Sequence, residues 1–431
     1  MFYHLLGSRD FMFHWGGAAF FQTGSFFSLV AFPWLMLSVT DNDPLAATMV
    51  MAAISMPHGI FVLFGGVLAD RMPPAKLLYF SRFSFFMVML SFAWLVHLQK
   101  VSLPMIYFYA FFTGVLGAIG FPAIQSLLPA IVEKKALGVA NAIVMGTNQF
   151  AQIAGPVLAG WLIWFGRSIF SVPEGDIPFS ALALAFFLDA LAALIAFFMA
   201  TNVRSSPFPK SSSKQKVIAF MSQGFLFCWH DKGIRIVIFY MLAISFFLNG
   251  PLFASLPLFT KVTLGLTEAM YGNLYAVLGI GTILGAIIAA TKVSVTRNLG
   301  TVVLCCNLVS ALAFLLMGFA QNLWWAVISL TLVGICGGVV MIAGTTWFQL
   351  RTPPALMGRV MGVLMFSVIG LIPISATLSG YVISIGSIGS VFLGCGLAVS
   401  LFAGVGLLLP SIRGMGDLPA QSKSSAATVD C

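Results

Sequence analysis

Long apolar runs recur along this chain, separated by short stretches that collect almost all of its charge. Residues 179–198, "FSALALAFFLDALAALIAFF", are one such run. A helix needs ~20 consecutive apolar residues to cross a bilayer, and lipid offers no hydrogen bonds to an open backbone. Twelve runs meet that length: residues 11–38, 45–69, 77–98, 103–128, 137–165, 178–200, 234–259, 269–290, 299–319, 323–349, 357–383 and 389–409. A membrane barrel would show alternating strands of ~10 residues, which these uniform runs exclude. The expected fold is therefore an all-α integral membrane protein with twelve transmembrane helices.

Composition agrees. Hydrophobic residues make up 60% of the 431 positions and charged residues only 8%. No soluble core could hide so much apolar surface. The formal net charge of +9 reads as basic loops on one membrane face, not as a nucleic-acid footprint. With the N-terminus inside, Lys100, Arg167 and Lys261 alone of the 21 Lys and Arg residues fall outside. Arg71, Lys76 and Arg82 count among the inside loop residues on this reading. The basic asymmetry predicts a multi-pass protein of the cell (plasma or inner) membrane with both termini cytoplasmic. The first run has no cleavage site and reads as an uncleaved anchor. Cys305, Cys306, Cys336 and Cys395 lie inside apolar runs and read as small core residues.

The runs divide into an N-terminal six-helix bundle (1–200), a cytoplasmic linker (201–233), a C-terminal six-helix bundle (234–410) and a disordered tail (411–431). "NVRSSPFPKSSSKQK" has the composition of a solvated linker. "KVIAFMSQGFLFCW" after it reads either as an amphipathic helix on the membrane surface or as a helix packed under the bundle. The halves repeat: Gly138 and Gly160 recur as Gly358 and Gly380, and Gly65 recurs as Gly285, each at an offset of 220. Repeats with an even helix count are parallel, related by an axis along the membrane normal.

"FGGVLADRMPPAKLLYFSRF", residues 64–83, gathers charge between two spans. Gly65 and Gly66 permit close helix approach, Asp70 ends one span, and Arg71 opens a turn stiffened by Pro73 and Pro74. Together with "QLRTPPALMGRVMG" (349–362), this segment resembles the major facilitator superfamily, in its enterobactin-exporter and macrolide-efflux branch. The resemblance covers nearly the whole chain and implies two pseudo-symmetric six-helix bundles. It also implies a gating role for Gly65, Gly66, Asp70, Arg71, Lys76 and Arg359, with Asp70 meeting the start of the eleventh helix in the outward-facing state. Pro73-Pro74-Ala75 departs from the usual signature loop, and Ala290 stands where Asp70 would repeat. Gly146, Gly155, Pro156 and Gly160 resemble the glycine-proline motif of exporters. By themselves they let the fifth and eighth helices cross closely.

Polar residues inside the spans are candidates for a central cavity: Gln22, Asn148, Gln152 and Asn249, with His58 and Gln125 beside them. Interhelical hydrogen bonds are the competing role for each. Asp189, the one acid near the middle of a span, is the candidate for proton coupling. An ionised Asp there costs ~2.5–3.5 kcal/mol on insertion scales; a structural hydrogen bond to a neighbouring helix is the other reading. No phosphate-binding GxxxxGK[ST] loop is present, and no His–carboxylate or Ser–His arrangement suggests an enzyme. No cofactor, metal or nucleic acid is expected. The partners are a small-molecule substrate, protons and the lipid bilayer, and the chain is expected to be a monomer. The reading is a proton-coupled exporter of hydrophobic or amphiphilic molecules working by alternating access. An importer or lysolipid flippase of the same fold, or a non-transporting receptor or enzyme, are the alternatives.

Overall fold

A computed structural model describes residues 5, 7–133, 135–173, 177–203, 225–293, 299–352 and 357–408. Six long helices form the first half: α1 (Arg9–Val39), α2 (Pro44–Arg71), α3 (Pro74–His97), α4 (Leu103–Ile131), α5 (Leu137–Ile169) and α6 (Phe179–Thr201). The second half repeats them. There α7 runs from Lys232–Ile244 through two π-turns (Ser245–Asn249 and Phe259–Thr263), and α8 covers Glu268–Ile288. After it come α9 (Leu299–Phe319), α10 (Leu323–Arg351), α11 in two pieces (Met357–Ile369 and Ile372–Ile385) and α12 (Ile388–Leu408). The linker residues 204–224 and the tail beyond 408 lie outside the described residues, so the surface-helix and tail expectations fall there; residues 225–230 are helical.

The termini of these helices match the apolar runs closely because each end has a local cause. Ser8, Asp43, Asp231 and Asn322 cap α1, α2, α7 and α10 through their side chains. Proline occupies the first turn of α2, α3 and α4, where its missing N–H is no loss. Eleven of the twelve are long and apolar enough to span a bilayer. The exception is α5, whose Asn141, Thr147, Asn148, Gln149 and Gln152 lower its hydropathy.

Lipid is as apolar as leucine, so helix pairing here depends on close packing more than on the hydrophobic effect. Glycines set the approach. A Cβ on Gly114 of α4 would strike the Ile54 carbonyl of α2, and one on Gly334 of α10 would strike Leu278 of α8. Gly65 of α2 lies against α4, and its repeat Gly285 of α8 lies against α10. Gly114 and Gly334 are again 220 residues apart. Phenylalanine triads repeat as well. Phe32, Phe92 and Phe186 join α1, α3 and α6 at ring distances of 4.7–5.2 Å. In the second half Phe392 of α12 meets Phe259 of α7 and Phe314 of α9 at 5.6 and 5.5 Å.

The core is asymmetric along the bundle axis. At the end away from the start of α1, one apolar cluster includes Phe32 and Leu35 of α1, Phe92 of α3, Leu256 of α7 and Tyr271 of α8, so it passes through both halves. At the other end the clusters separate. One holds second-half residues and Cys228, and two others hold first-half residues. The halves are thus clasped at one end and apart at the other. At the open end Asp231 caps Ile234 and takes Arg351 of α10 at 3.2 and 3.3 Å. Burial pushes its carboxyl up, but the Ile234 amide and the Arg351 guanidinium outweigh that and hold it below its ordinary value. Among the cysteines, Cys336 is buried and Cys306 and Cys395 are half-buried as expected. Cys305 corrects that reading, since it is exposed on the helix exterior.

Candidate functional site: an interior cavity and a clasped end

A cavity of about 290 Å³ opens inside the first half, walled by α1–α5. Phe21, Phe26, Phe85 and Phe121 give it aromatic walls; Gln22, Ser25, His58, Thr113, Gln125 and Asn148 supply polar groups. Of the four cavity candidates, Gln22 and Asn148 line this cavity. Gln152 and Asn249 are exposed and do not line it. Gln152 shares a helical face with Asn148 but lies one turn further towards the clasped end. Asn249 closes the π-turn of α7, whose wider turn shifts the helical phase by about one residue.

Behind the cavity lies a polar group of residues from three helices. Asp189 of α6 is fully buried and accepts a short hydrogen bond from the Ser28 hydroxyl of α1. Gly24 gives it room, since a Cβ there would lie 3.1 Å from Asp189 Oδ1. Arg82 of α3 faces Asp189 and lines the cavity. It is 2% exposed, and its guanidinium sits 3.3 Å over the Phe21 ring centroid. Its placement corrects the sequence reading, which counts it as a loop residue. Arg82 lies eight positions into α3, roughly 12 Å along the axis. The signal that could have found it is the pairing of two in-span charges, Arg82 and Asp189, with opposite signs. His14 of α1 completes the group, buried, with both ring nitrogens unpartnered.

The crossing of α5 and α8 is as close as the sequence requires. A Cβ on Gly160 would strike the Glu268 carbonyl, and one on Gly272 would strike the Pro156 carbonyl. Gly155 makes room for the Phe26 ring. Gly146 is different: among the described residues no atom outside its own helix lies within 4 Å of where its Cβ would be. The pseudo-symmetric partner of Gly160 is Gly380 of α11, and it packs against Thr48 near the start of α2. Both crossings lie at the clasped end.

Polar contacts reinforce that end. Arg167 at the end of α5 pairs with Glu268, the first residue of α8, at 3.3 Å. Glu268 is 2% exposed, and the helix N-terminus also favours its charge. Lys261 of α7 donates to Ser38 of α1 at 3.2 Å and lies over Trp34. Trp161 of α5 donates to Asn273 of α8 at 3.2 Å. Glu268→Gln should weaken the clasp by about 1–2 kcal/mol, the scale of a partly buried ion pair, and shift the two-state population several-fold. Spin labels at positions 169 and 262, exposed at this end of opposite halves, read the change as a longer distance. An unaltered distance distribution would deny the pair any part in the clasp.

The gating candidates are less fully placed. Gly65 packs on α4, Lys76 is exposed, and Asp70 and Arg71 form the last turn of α2. The surroundings of Gly66 and the side chains of Asp70, Arg71 and Arg359 lie outside the described residues. Among the described residues no group of His, Cys, Asp and Glu could hold a metal ion.

Residues 15–372 match the family described as the Major Facilitator Superfamily. The chain is 24% identical over 307 residues to the enterobactin exporter EntS of Escherichia coli O81 (strain ED1a), covering 70% of this chain and 68% of the relative. Its fold is similar to a crystal structure of the nucleoside transporter NupG, with TM-score 0.73 at 13% identity over 93% of this chain and 99% of that one. A POT family transporter in complex with a thioalcohol-conjugated peptide gives TM-score 0.74 at 11% identity, over 94% and 96% of the two chains. A bacterial homologue of the lysosomal transporter Spinster, inward-facing and occupied, gives 0.64 at 14%, over 96% and 95%.

Proposed function

This chain belongs to the Major Facilitator Superfamily, and from that membership we propose that it is a secondary active exporter of hydrophobic or amphiphilic small molecules, working by alternating access. It is a multi-pass membrane transporter and not an enzyme. The observation that carries the proposal is the interior cavity of about 290 Å³, aromatic-walled with a few polar groups, in a bundle clasped at one end and parted at the other. Such a site takes a compact apolar body and orients it by a small number of hydrogen bonds.

The parted end is the cytoplasmic one on this reading, since the basic residues gather there, and the structure then corresponds to the inward-facing state. Both termini and the 201–233 linker are cytoplasmic, the halves 1–200 and 234–410 rock against each other, and the protein sits in the inner membrane as a monomer. Breaking the α5–α8 and α2–α11 crossings would open the other end, and Asp70 would then dock at the start of α11 near Arg359. Protons drive the cycle through Asp189. Export is supported by the likeness to the enterobactin exporter, a protein whose own name states that direction.

Accumulation assays test the proposal. Cells with and without the protein are loaded with dyes, macrolides, siderophores and lysolipids in turn. At least one class should accumulate three-fold less or lower in expressing cells, and the difference should vanish when the proton gradient is collapsed. Equal or greater accumulation of every class in expressing cells would overturn export.

A further inference from the structure

Among the described residues that line the cavity, Arg82 is the one permanently charged side chain and none is an acid. The Arg82 side chain is 2% exposed, its Nη1 has no hydrogen-bond partner, and its Cζ lies 3.3 Å from the Phe21 ring centroid. Asp189 is within electrostatic reach behind it, yet among the described residues the two form no ion pair. The Asp189 hydrogen bond comes from Ser28, and its other oxygen is unpartnered. Apart from Asp189, the titratable groups near Arg82 on the other helices are histidines: His14 of α1 beside it and His58 of α2 across the cavity. Gly120 of α4 leaves space for the guanidinium, because a Cβ there would come within 3.2 Å of Nη1.

A buried guanidinium nitrogen left without an acceptor, as Arg82 Nη1 is, costs free energy until one arrives. Its fork matches a carboxylate, sulfonate or phenolate, and its cation–π contact with Phe21 holds it at the aromatic wall. A cationic solute would meet like charge in a low-dielectric pocket, and a neutral one would bring no opposite charge to the guanidinium. We propose that Arg82 is the specificity-determining residue of this cavity and that its ligand is a compact aromatic or amphiphilic organic anion, held by Arg82 at the head and by the phenylalanine walls along the body. Asp189 balances the guanidinium while the cavity is empty and yields it to the ligand. The inference rests on the cavity being the substrate site, and it names the charge of the cargo, which the fold leaves open.

Binding separates this from transport. Purified full-length protein in phosphatidylcholine nanodiscs is titrated with three probes of one shape: 2-naphthoate, 2-naphthamide and 2-naphthylmethylammonium. The carboxylate should bind at least ten-fold more tightly than either of the others. Arg82→Gln should erase that preference, lowering naphthoate affinity ten-fold or more while changing naphthamide affinity less than three-fold. Arg82→Gln/Asp189→Asn removes both buried charges and should show the same loss, which covers a single variant that fails to fold. A preference for the amide or the ammonium, a carboxylate preference that survives both variants, or no saturable binding of any probe would overturn the inference. Counterflow of labelled naphthoate in proteoliposomes reads the other half. Selective binding without counterflow would leave the anion site standing and remove the transport reading.

Discussion

Asp189→Asn should leave substrate exchange within about three-fold of the natural protein and reduce transport driven by a pH gradient ten-fold or more. The carboxyl is fully buried, hydrogen-bonded to Ser28 and set beside Arg82, so α1, α3 and α6 all meet at it. Asparagine preserves its shape and can still accept from Ser28, but it cannot carry a proton. Its amide N–H groups enter a site where Arg82 is already a donor, so a stability loss of about 1–2 kcal/mol is expected as well. Proteoliposomes make the distinction: exchange at equal pH tests the cavity, and uptake against an imposed pH difference tests coupling. Undiminished gradient-driven transport in the variant would make Asp189 a structural hydrogen-bond acceptor and move the coupling site elsewhere.

Gly160→Val should strongly destabilise the clasped state. The obstruction is backbone, since the Cβ would meet the Glu268 carbonyl and the Ala269 Cα. No side-chain rotation relieves that contact. Overpacking a tight site costs about 1–3 kcal/mol, and here the cost falls on the state in which α5 and α8 touch. The expected result is a population shifted by ten-fold or more towards opening at this end, with transport falling in proportion because the cycle needs both states. Crosslinking between cysteines placed at the ends of α5 and α8 measures it. Crosslinking as efficient as in the parent protein would show that the crossing tolerates a branched residue. Gly146→Val is the control on the same helix, and it should do little, as its Cβ position is open.

The glycine motif shows how far local reading can reach. Gly160 and its repeat Gly380 were identifiable from spacing alone, and each lies in a close crossing of the two halves. Gly146 has the same chemistry and, among the described residues, no such neighbour. The sequence shows which residues allow a close approach; a second helix must arrive for the approach to exist. Arg82 makes the same point for charge. Eight residues from a proline-rich turn it looks like the edge of a basic loop, and only the neighbours Phe21, Gly120 and Asp189, from three other helices, make it an interior group. Glu268 follows the same logic, being buried at a helix start by Arg167 from more than 100 positions away.

The twelve spans, the even count, the repeat and the family resemblance follow from the chain alone, because lipid demands a continuous apolar helix and that demand is local. Which face of each helix turns inward does not follow. In a soluble protein a polar stripe marks the outside, but here lipid-facing and core-facing residues are both apolar, so the pattern carries little direction. Tertiary packing alone decided that Gln22 and Asn148 share a cavity while Gln152 and Asn249 stay out of it, that Arg82 and Asp189 face one another, and that the halves close at one end. Each of these depends on a neighbour distant in sequence, at a separation that no window of hydropathy spans.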